Sequence, residues 1–253
     1  MSDDKKVTTQ TFWDAAYPLI AETEKHPFLV AMVDGTLAEE NFKYYVVQDT
    51  LYLRDYADCL RRVAAKAPTP EEAAKLEYYA KGAESSEMAL HESFFKQWGI
   101  EAPPSDAMED PMAQKPNCLL YTSYLKRVVA TESYAQGLAV VLPCFWVYMH
   151  VGHVMLKLRE TLDAGDASLK SKRKPQYDAW IDAYASDEFE KDVKDYLVMV
   201  DVECARIQAT ESSEEAKKML TSMQQHFIMG CKLEHMFWDQ AQTNLQWPNL
   251  GGL

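Results

Sequence analysis

The twenty residues from Gly137 to Leu156, GLAVVLPCFWVYMHVGHVML, limit what this chain can fold into. Only His150 and His153 break their apolar character. A stretch of this length can cross a bilayer. It can also form a helix that is apolar all round and therefore buried on nearly every face. The stretch is single, holds two histidines and a mid-segment proline, and has amphipathic rather than apolar neighbours. Those features place it at the centre of a soluble helical bundle. Within it, Pro143 cannot donate to the Ala139 carbonyl, so a kink or break is expected there. Cys144 follows at once, and Tyr148 lies one helical turn further on the same face. The thiol reads either as a nucleophile beside open volume or as a small core hydrophobe, the commoner role of a buried cysteine.

The rest of the chain is read as helices around that centre. Apolar spacing predicts helices over Thr11–Lys25, Pro27–Val33, Thr36–Lys66, Thr69–Trp98, Cys118–Ala130, Gln176–Tyr184 and Asp187–Thr210, with a last one opening at Ser212. Thr36/Glu39, Thr69/Glu72 and Ser212/Glu215 have capping-box spacing. Gly99 to Asn117, rich in proline, reads as a linker or lid, and the run DAGDASLKSKRKP after Leu162 as a solvated surface loop. Strand-like alternation is scarce, and the fold class expected is all-α.

Charge and cysteine usage narrow the function. Thirty-nine acidic against 26 basic residues leave a net charge of −13. That opposes nucleic acid or an anionic membrane as partner, since both need a basic face. A small-molecule substrate is compatible with it. The charged opening MSDDKK is followed by no apolar run, so no secretory signal is expected. Five scattered cysteines suggest reduced thiols in a cytosol-like compartment, not a disulfide framework or clustered zinc site. GxGxxG, GxxxxGK, GxSxG and CxxC are all missing, which removes support for a nucleotide-phosphate site or zinc knuckle.

Two carboxylates interrupt apolar stripes. Asp49 falls between the turns of Phe42, Tyr45, Tyr52 and Tyr56, and is either a polar contact in a pocket or a marginal residue reaching solvent. Glu234 shares a row with Met219, Met223, Phe227, Cys231 and Trp238. A carboxylate there must be paired, hydrogen-bonded or protonated. A thiol, two intrahelical carboxylates and many tyrosines suit a flat, electron-poor, hydrogen-bonding heterocycle. Aromatic faces would sandwich it, carboxylates would read its edge, and the thiol would attack a ring carbon.

The motifs QDTLYL (Gln48–Leu53), Tyr121 in LLYTSYL, LPCFWVYMHVG (Leu142–Gly152), WIDAY (Trp180–Tyr184) and EHMFW (Glu234–Trp238) resemble, in order and separation, those of the TenA / thiaminase II family. The resemblance spans almost the whole chain. It implies one domain over residues 1–253 with a haem-oxygenase-like all-α fold without haem, assembled as a homotetramer. It also implies hydrolysis of 4-amino-2-methylpyrimidines: thiamin cleavage, or deamination of the aminomethylpyrimidine left when thiamin degrades. On this resemblance Cys144 is the nucleophile and Glu234 contacts the ring edge and handles the proton. Asp49 binds the pyrimidine amino group, Tyr52 and Tyr148 stack on the ring, and Tyr121 and Tyr184 supply pocket hydroxyls. No cofactor or metal is implied, and the cysteine places the chain with the cysteine-bearing branch. Two rivals stand beside this. One is a haem-oxygenase-like di-iron oxygenase, with Glu84, Glu87 and His91 on one helical face and His235, Asp239 and Gln242 on another, although Gln242 is a poor iron ligand. The other is a non-catalytic protein that has kept a pyrimidine-binding pocket.

Overall fold

In the computed structural model, residues 6–110 and 112–249 are described, the side chains of Ser86 and Glu87 excepted. Among them there are helices and no strands, as expected. The helices are α1 (Thr9–Thr23), α2 (Pro27–Asp34), α3 (Glu39–Ala64), α4 (Pro70–Gly82), α5 (Met88–Trp98), α6 (Pro116–Thr131), α7 (Tyr134–Gly165), α8 (Leu169–Lys172), α9 (Pro175–Tyr184), α10 (Asp187–Thr210) and α11 (Ser213–Thr243).

The apolar stretch lies inside α7, and every residue from Tyr134 to Tyr148 is buried. By length and composition α7 could cross a membrane, yet 78% of its apolar window is covered by the other helices. Helices α2, α3, α6, α9, α10 and α11 all contact it. An all-round apolar helix is stable in water only when it is wrapped in this way. Beyond Tyr148 the helix is buried on one side only, through Val151, Gly152 and Met155. His150 and His153 sit on the other side, near Glu24 and Glu190.

Pro143 does not break α7, which runs unbroken through it. The proline ring instead meets α11 where Gly230 has no side chain, and a Cβ at Gly230 would run into the ring carbons. Gly137 and Gly152 work similarly. A Cβ at Gly137 would come 3.0 Å from Val63 Cγ2, and one at Gly152 would come 2.7 Å from the backbone carbon of Tyr184. Three small residues therefore set how closely α3, α9 and α11 approach the central helix.

Helix ends follow the local chemistry with two exceptions. Ser133, Ser186, Thr69 and Ser212 each accept a first-turn N–H, and Ser133 completes a capping box with Gln136. The box expected at Thr36/Glu39 does not form. Thr36 turns back to donate to Asp34 Oδ1 at 2.6 Å, and α3 starts at Glu39 with Ala38 at its cap. The helix expected from Thr69 to Trp98 is divided by a π-helical segment, Ala83–Glu87.

The basic run after Leu162 is corrected in part. Leu169–Lys172 forms one helical turn, and Arg173 is buried. Its guanidinium donates to Asp163 Oδ2 (2.6 Å), Asp178 Oδ1 (3.0 Å) and the Val33 carbonyl (2.9 Å), tying α2 and α9 to the end of α7.

Candidate active site

Asp49 and Tyr52 come from α3, Tyr121 from α6, Cys144 and Tyr148 from α7, Tyr184 from the end of α9, and Glu234 from α11. All seven are buried. Asp49 is 2% exposed, so it is not a marginal residue reaching solvent.

Around the sulfur, Tyr52 and Tyr121 stand with ring centroids 4.9 Å apart. The Tyr121 hydroxyl donates to Glu234 Oε1 at 2.7 Å, so the carboxylate on the apolar row has a buried partner. Burial, then the Glu234 carboxylate and the Cys144 sulfur, push the Tyr121 hydroxyl well above its ordinary range. Burial pushes up Tyr52 as well, followed by the fields of Cys144, Tyr121 and Glu234. The Tyr52 hydroxyl is sealed from solvent and makes no hydrogen bond of ordinary geometry. Tyr56 donates to the Val141 carbonyl at 2.9 Å and Tyr196 to the Leu138 carbonyl at 3.1 Å, so tyrosines also line the turn that precedes Cys144.

The second half of the site lies about Tyr148. Its hydroxyl bonds to that of Tyr45 at 3.2 Å, and Trp180 Nε1 donates to Tyr45 at 3.3 Å. Its ring lies 4.9 Å from Tyr184 and 5.2 Å from Trp238. Tyr148 is raised by burial first, then by Tyr45, Asp49 and Glu234, so both carboxylates act on one phenol. Phe237, from α11, faces Tyr52 at 5.6 Å and Tyr45 at 5.9 Å. Thiol, carboxylates and tyrosines thus share one aromatic-walled interior. Tyr45, Phe237 and Trp238 also belong to that wall; the sequence marked Tyr45 only as part of an aromatic stripe, Phe237 only as part of the EHMFW motif, and Trp238 only as part of that motif and of the apolar row of Glu234, none of them as a site residue.

Among the five cysteines, Cys144 is set apart by its setting. It is 8% exposed, against 2% or less for the other four. Burial raises Cys59 and Cys204 to about 12 and holds Cys118 and Cys231 well above the ordinary thiol range. Those four are core residues that stay protonated.

The groups of the di-iron reading do not assemble. Glu84 is half-exposed and forms a bidentate pair with Arg61. His91 is buried beside Asp49. The π segment adds a residue to the turn between them and rotates them onto different faces. The Glu87 side chain lies outside the described residues. A different trio, His26, His235 and Asp239, has ligand atoms within 4.8 Å of one another. His26 Nδ1, however, accepts the Phe28 N–H at 3.1 Å, so a neutral ring carries its proton on Nε2, which donates to Asp239 at 3.1 Å. A metal at Nε2 would have to displace that proton or undo the helix cap. The Gln242 carboxamide oxygen is buried without a hydrogen-bond partner.

The TENA/THI-4/PQQC family profile matches residues 13–244. The aminopyrimidine aminohydrolase of Halalkalibacterium halodurans is 34% identical over 239 residues, which cover 94% of this chain and 93% of that protein. The aminopyrimidine aminohydrolase of Bacillus subtilis is 29% identical over 248 residues, 98% of this chain and 92% of that one. Among solved structures, a TenA homologue from P. horikoshii OT3 superposes with a TM-score of 0.74 at 23% identity, covering 93% of this chain and 98% of that one. A Shewanella denitrificans domain with a haem-oxygenase-like fold superposes at 0.67 with 14% identity, over 94% and 93% of the two chains. The fold is therefore the haem-oxygenase-like all-α fold expected from the motifs. With a profile matched over nearly its whole length and a relative 34% identical, this chain belongs to the TENA/THI-4/PQQC family.

Proposed function

We propose that this protein is an aminopyrimidine aminohydrolase of thiamin salvage, converting 4-amino-5-aminomethyl-2-methylpyrimidine, or thiamin itself, to 4-amino-5-hydroxymethyl-2-methylpyrimidine. One observation carries the reading. A buried Tyr121–Glu234 hydrogen bond of 2.7 Å lies beside the least buried of five thiols, in an interior walled by aromatic rings. The names of its relatives in Halalkalibacterium and Bacillus support the same chemistry.

In the reaction Cys144 adds through sulfur to a ring carbon while Glu234, as the acid, protonates a ring nitrogen. The thiol's proton leaves with the departing amine as ammonia, and the ring electrons open an exocyclic methylene. Water adds to that methylene, the sulfur is expelled and takes the water's proton, and the ring nitrogen returns its proton to Glu234. The sum is one water consumed and one ammonia released. A buried thiolate needs a donor. The carbonyl that Pro143 leaves without its helical partner has the wrong sign, while the Tyr52 hydroxyl, buried beside Cys144 and Tyr121, can donate to the sulfur. Asp49 accepts from the 4-amino group, Tyr52 and Tyr148 cover the ring faces, and Tyr184 closes the far end. Free cysteines fit a cytoplasmic location, and a homotetramer is the assembly expected of the family.

The deciding measurement is ammonia release from the aminomethylpyrimidine beside thiazole release from thiamin, for the native protein and Cys144→Ser. Native turnover with loss of at least a thousandfold in the variant is expected. Near-full turnover by Cys144→Ser removes the nucleophile, and pyrimidine binding without turnover by the native protein makes it a binding protein.

A further inference from the structure

Helices α4 and α10 lie antiparallel and are tied by two polar contacts. At one end Arg206 Nη2 donates to Glu72 Oε1 at 2.8 Å, and at the other the Tyr78 hydroxyl donates to Asp192 Oδ2 at 3.2 Å. Around the second contact the helices leave a groove of about 310 Å³, walled by Ala74, Tyr78 and Tyr79 from α4 and by Lys191, Asp192 and Asp195 from α10. That volume is at the lower end of small-molecule pockets, which run roughly 300–1,000 Å³. None of the seven residues of the candidate active site lines it.

Charge in the groove is unevenly answered. Lys191 pairs with Asp195 at 2.9 Å, and Lys75 with Glu71 at 4.0 Å. Asp192 is half-buried, and its carboxylate is left with the Tyr78 hydroxyl rather than a cation. Burial outweighs that bond and raises the carboxyl above its ordinary range, so the group is short of positive charge. Tyr79 supplies a second, independent mark. It is 5% exposed, with its ring packed 5.3 Å from Phe145 and 5.5 Å from Tyr196. Its hydroxyl nevertheless makes no hydrogen bond with a described residue, and the acids it feels are Asp192 and Asp195 of the groove. A phenol held this deeply, with its polar atom unspent and turned to the groove, can accept from a donor placed beside Asp192. The exposed Tyr78 ring stands at 67° to that of Tyr79, with centroids 5.5 Å apart, and offers a face to a flat or cationic group.

We propose that this groove is a second binding site, for an arylmethylammonium, that is, a primary ammonium one carbon away from a flat ring. The ammonium gives one N–H to Asp192 and another to the Tyr79 hydroxyl oxygen, while the ring lies against Tyr78 and Ala74. A neutral alcohol of the same shape brings no charge to Asp192. The aminomethylpyrimidine is itself such a cation near neutral pH, so the groove gives that substrate a seat apart from the Cys144 interior; this choice of occupant rests on the reading under Proposed function.

The test titrates benzylamine and benzyl alcohol into the full chain near neutral pH and at low salt, where the charge is least screened, for the native protein, Asp192→Asn and Tyr79→Phe. The phenylalanine keeps the ring packing and deletes no hydrogen bond, so a native thermal midpoint is expected of it. Benzylamine is expected to bind the native protein about tenfold more tightly than the alcohol, and to lose about tenfold in Asp192→Asn and about threefold in Tyr79→Phe. No detectable binding of benzylamine, equal affinity for amine and alcohol, or native affinity in Asp192→Asn overturns the inference. Competition fixes the place. Displacement of benzylamine by 4-amino-2-methylpyrimidine, which lacks the ammonium, would put it in the Cys144 interior and also overturns the inference. Displacement by the aminomethylpyrimidine is expected, and its failure removes that substrate as the occupant. Turnover plays no part in these titrations: a protein without aminohydrolase activity can still bind benzylamine here, and an empty groove leaves the catalytic reading standing.

Discussion

Gly152→Ala tests whether the contact between α9 and α7 builds the site. The new Cβ would come 2.7 Å from the Tyr184 carbon and 2.8 Å from its oxygen, both backbone atoms that no rotamer change can move. Restoring an ordinary contact of 3.4 Å requires the end of α9 to retreat by about 0.7 Å. Overpacking of this kind costs about 1–3 kcal/mol. Removing a mid-helix glycine returns roughly 1 kcal/mol of helix propensity. Gly137→Ala is the internal control, since its Cβ meets only the Val63 side chain, at 3.0 Å, and that side chain can yield. The control is expected to be neutral or slightly stabilising. Gly152→Ala is expected to lower the thermal midpoint by about 2–6 °C relative to it. The functional effect should be larger than the stability effect. Tyr184 sits 4.9 Å from the Tyr148 ring, and displacing it by a large fraction of an ångström loosens the pocket at its far end. A tenfold or greater drop in kcat/KM for the aminomethylpyrimidine is expected, on the scale that misplacement of this size carries. Circular dichroism on heating, together with an ammonia-release assay, measures both. Equal midpoints for the two glycine variants, or full activity in Gly152→Ala, would show that the close approach of α9 has no part in shaping the site.

Tyr121→Phe removes the donor to Glu234 and leaves a buried carboxylate with one partner fewer. A hydrogen bond to a charged group is worth about 1.5–3 kcal/mol, so steady-state kinetics should show kcat/KM down by about 10- to 100-fold, and an unchanged value would remove Tyr121 from the chemistry. His26 governs acid stability. Burial, outweighing its bond to Asp239, lowers its folded-state value below 6.5. The unfolded chain therefore binds the extra proton first, and stability is lost as pH falls below about 6.5. In His26→Asn, whose side-chain oxygen can still cap Phe28, that part of the pH dependence of chemical unfolding should vanish. Arg173→Met leaves Asp163, Asp178 and the Val33 carbonyl without their shared donor. The two carboxylates are partly solvated and can recover water, so the loss should fall at or below the roughly 3–5 kcal/mol of a fully buried pair. Urea unfolding measures it, and a loss under 0.5 kcal/mol would make Arg173 dispensable.

What was legible in the sequence was periodicity and local chemistry. The apolar run of α7 announced its burial because no face of it could be left in water. Asp49 and Glu234 stood out because a carboxylate on an apolar row must be answered by a partner. The partner itself was not legible. That Tyr121 reaches Glu234, and His91 reaches Asp49, depends on how α5 and α6 cross α3 and α11, and spacing along one helix carries no information about crossings. The π segment is a clear case. Glu84 and His91 are seven residues apart, which in regular α-helix puts them on one face, and the wider π turn undoes the inference; Gly82, just before it, reads in the sequence as no more than a weak point in a helix.

The same blindness applied to close approaches, and there it had a physical cause worth following. Pro143 was read as a point of failure in α7 because a proline deletes a donor and crowds the preceding turn. Whether it breaks a helix depends on what lies against it. Here α11 presents Gly230 to the ring, so the space a side chain would occupy is filled by the proline itself. The pairing fixes the height of α11 against α7 one residue from Cys144 and four residues from Glu234. A proline that seemed to weaken the central helix is thus one of the contacts that hold the sulfur and the carboxylate in register. Gly230→Ala should accordingly disturb turnover more than the exposed surface of α11 does, because its Cβ would push the two reacting side chains apart rather than merely crowd the core.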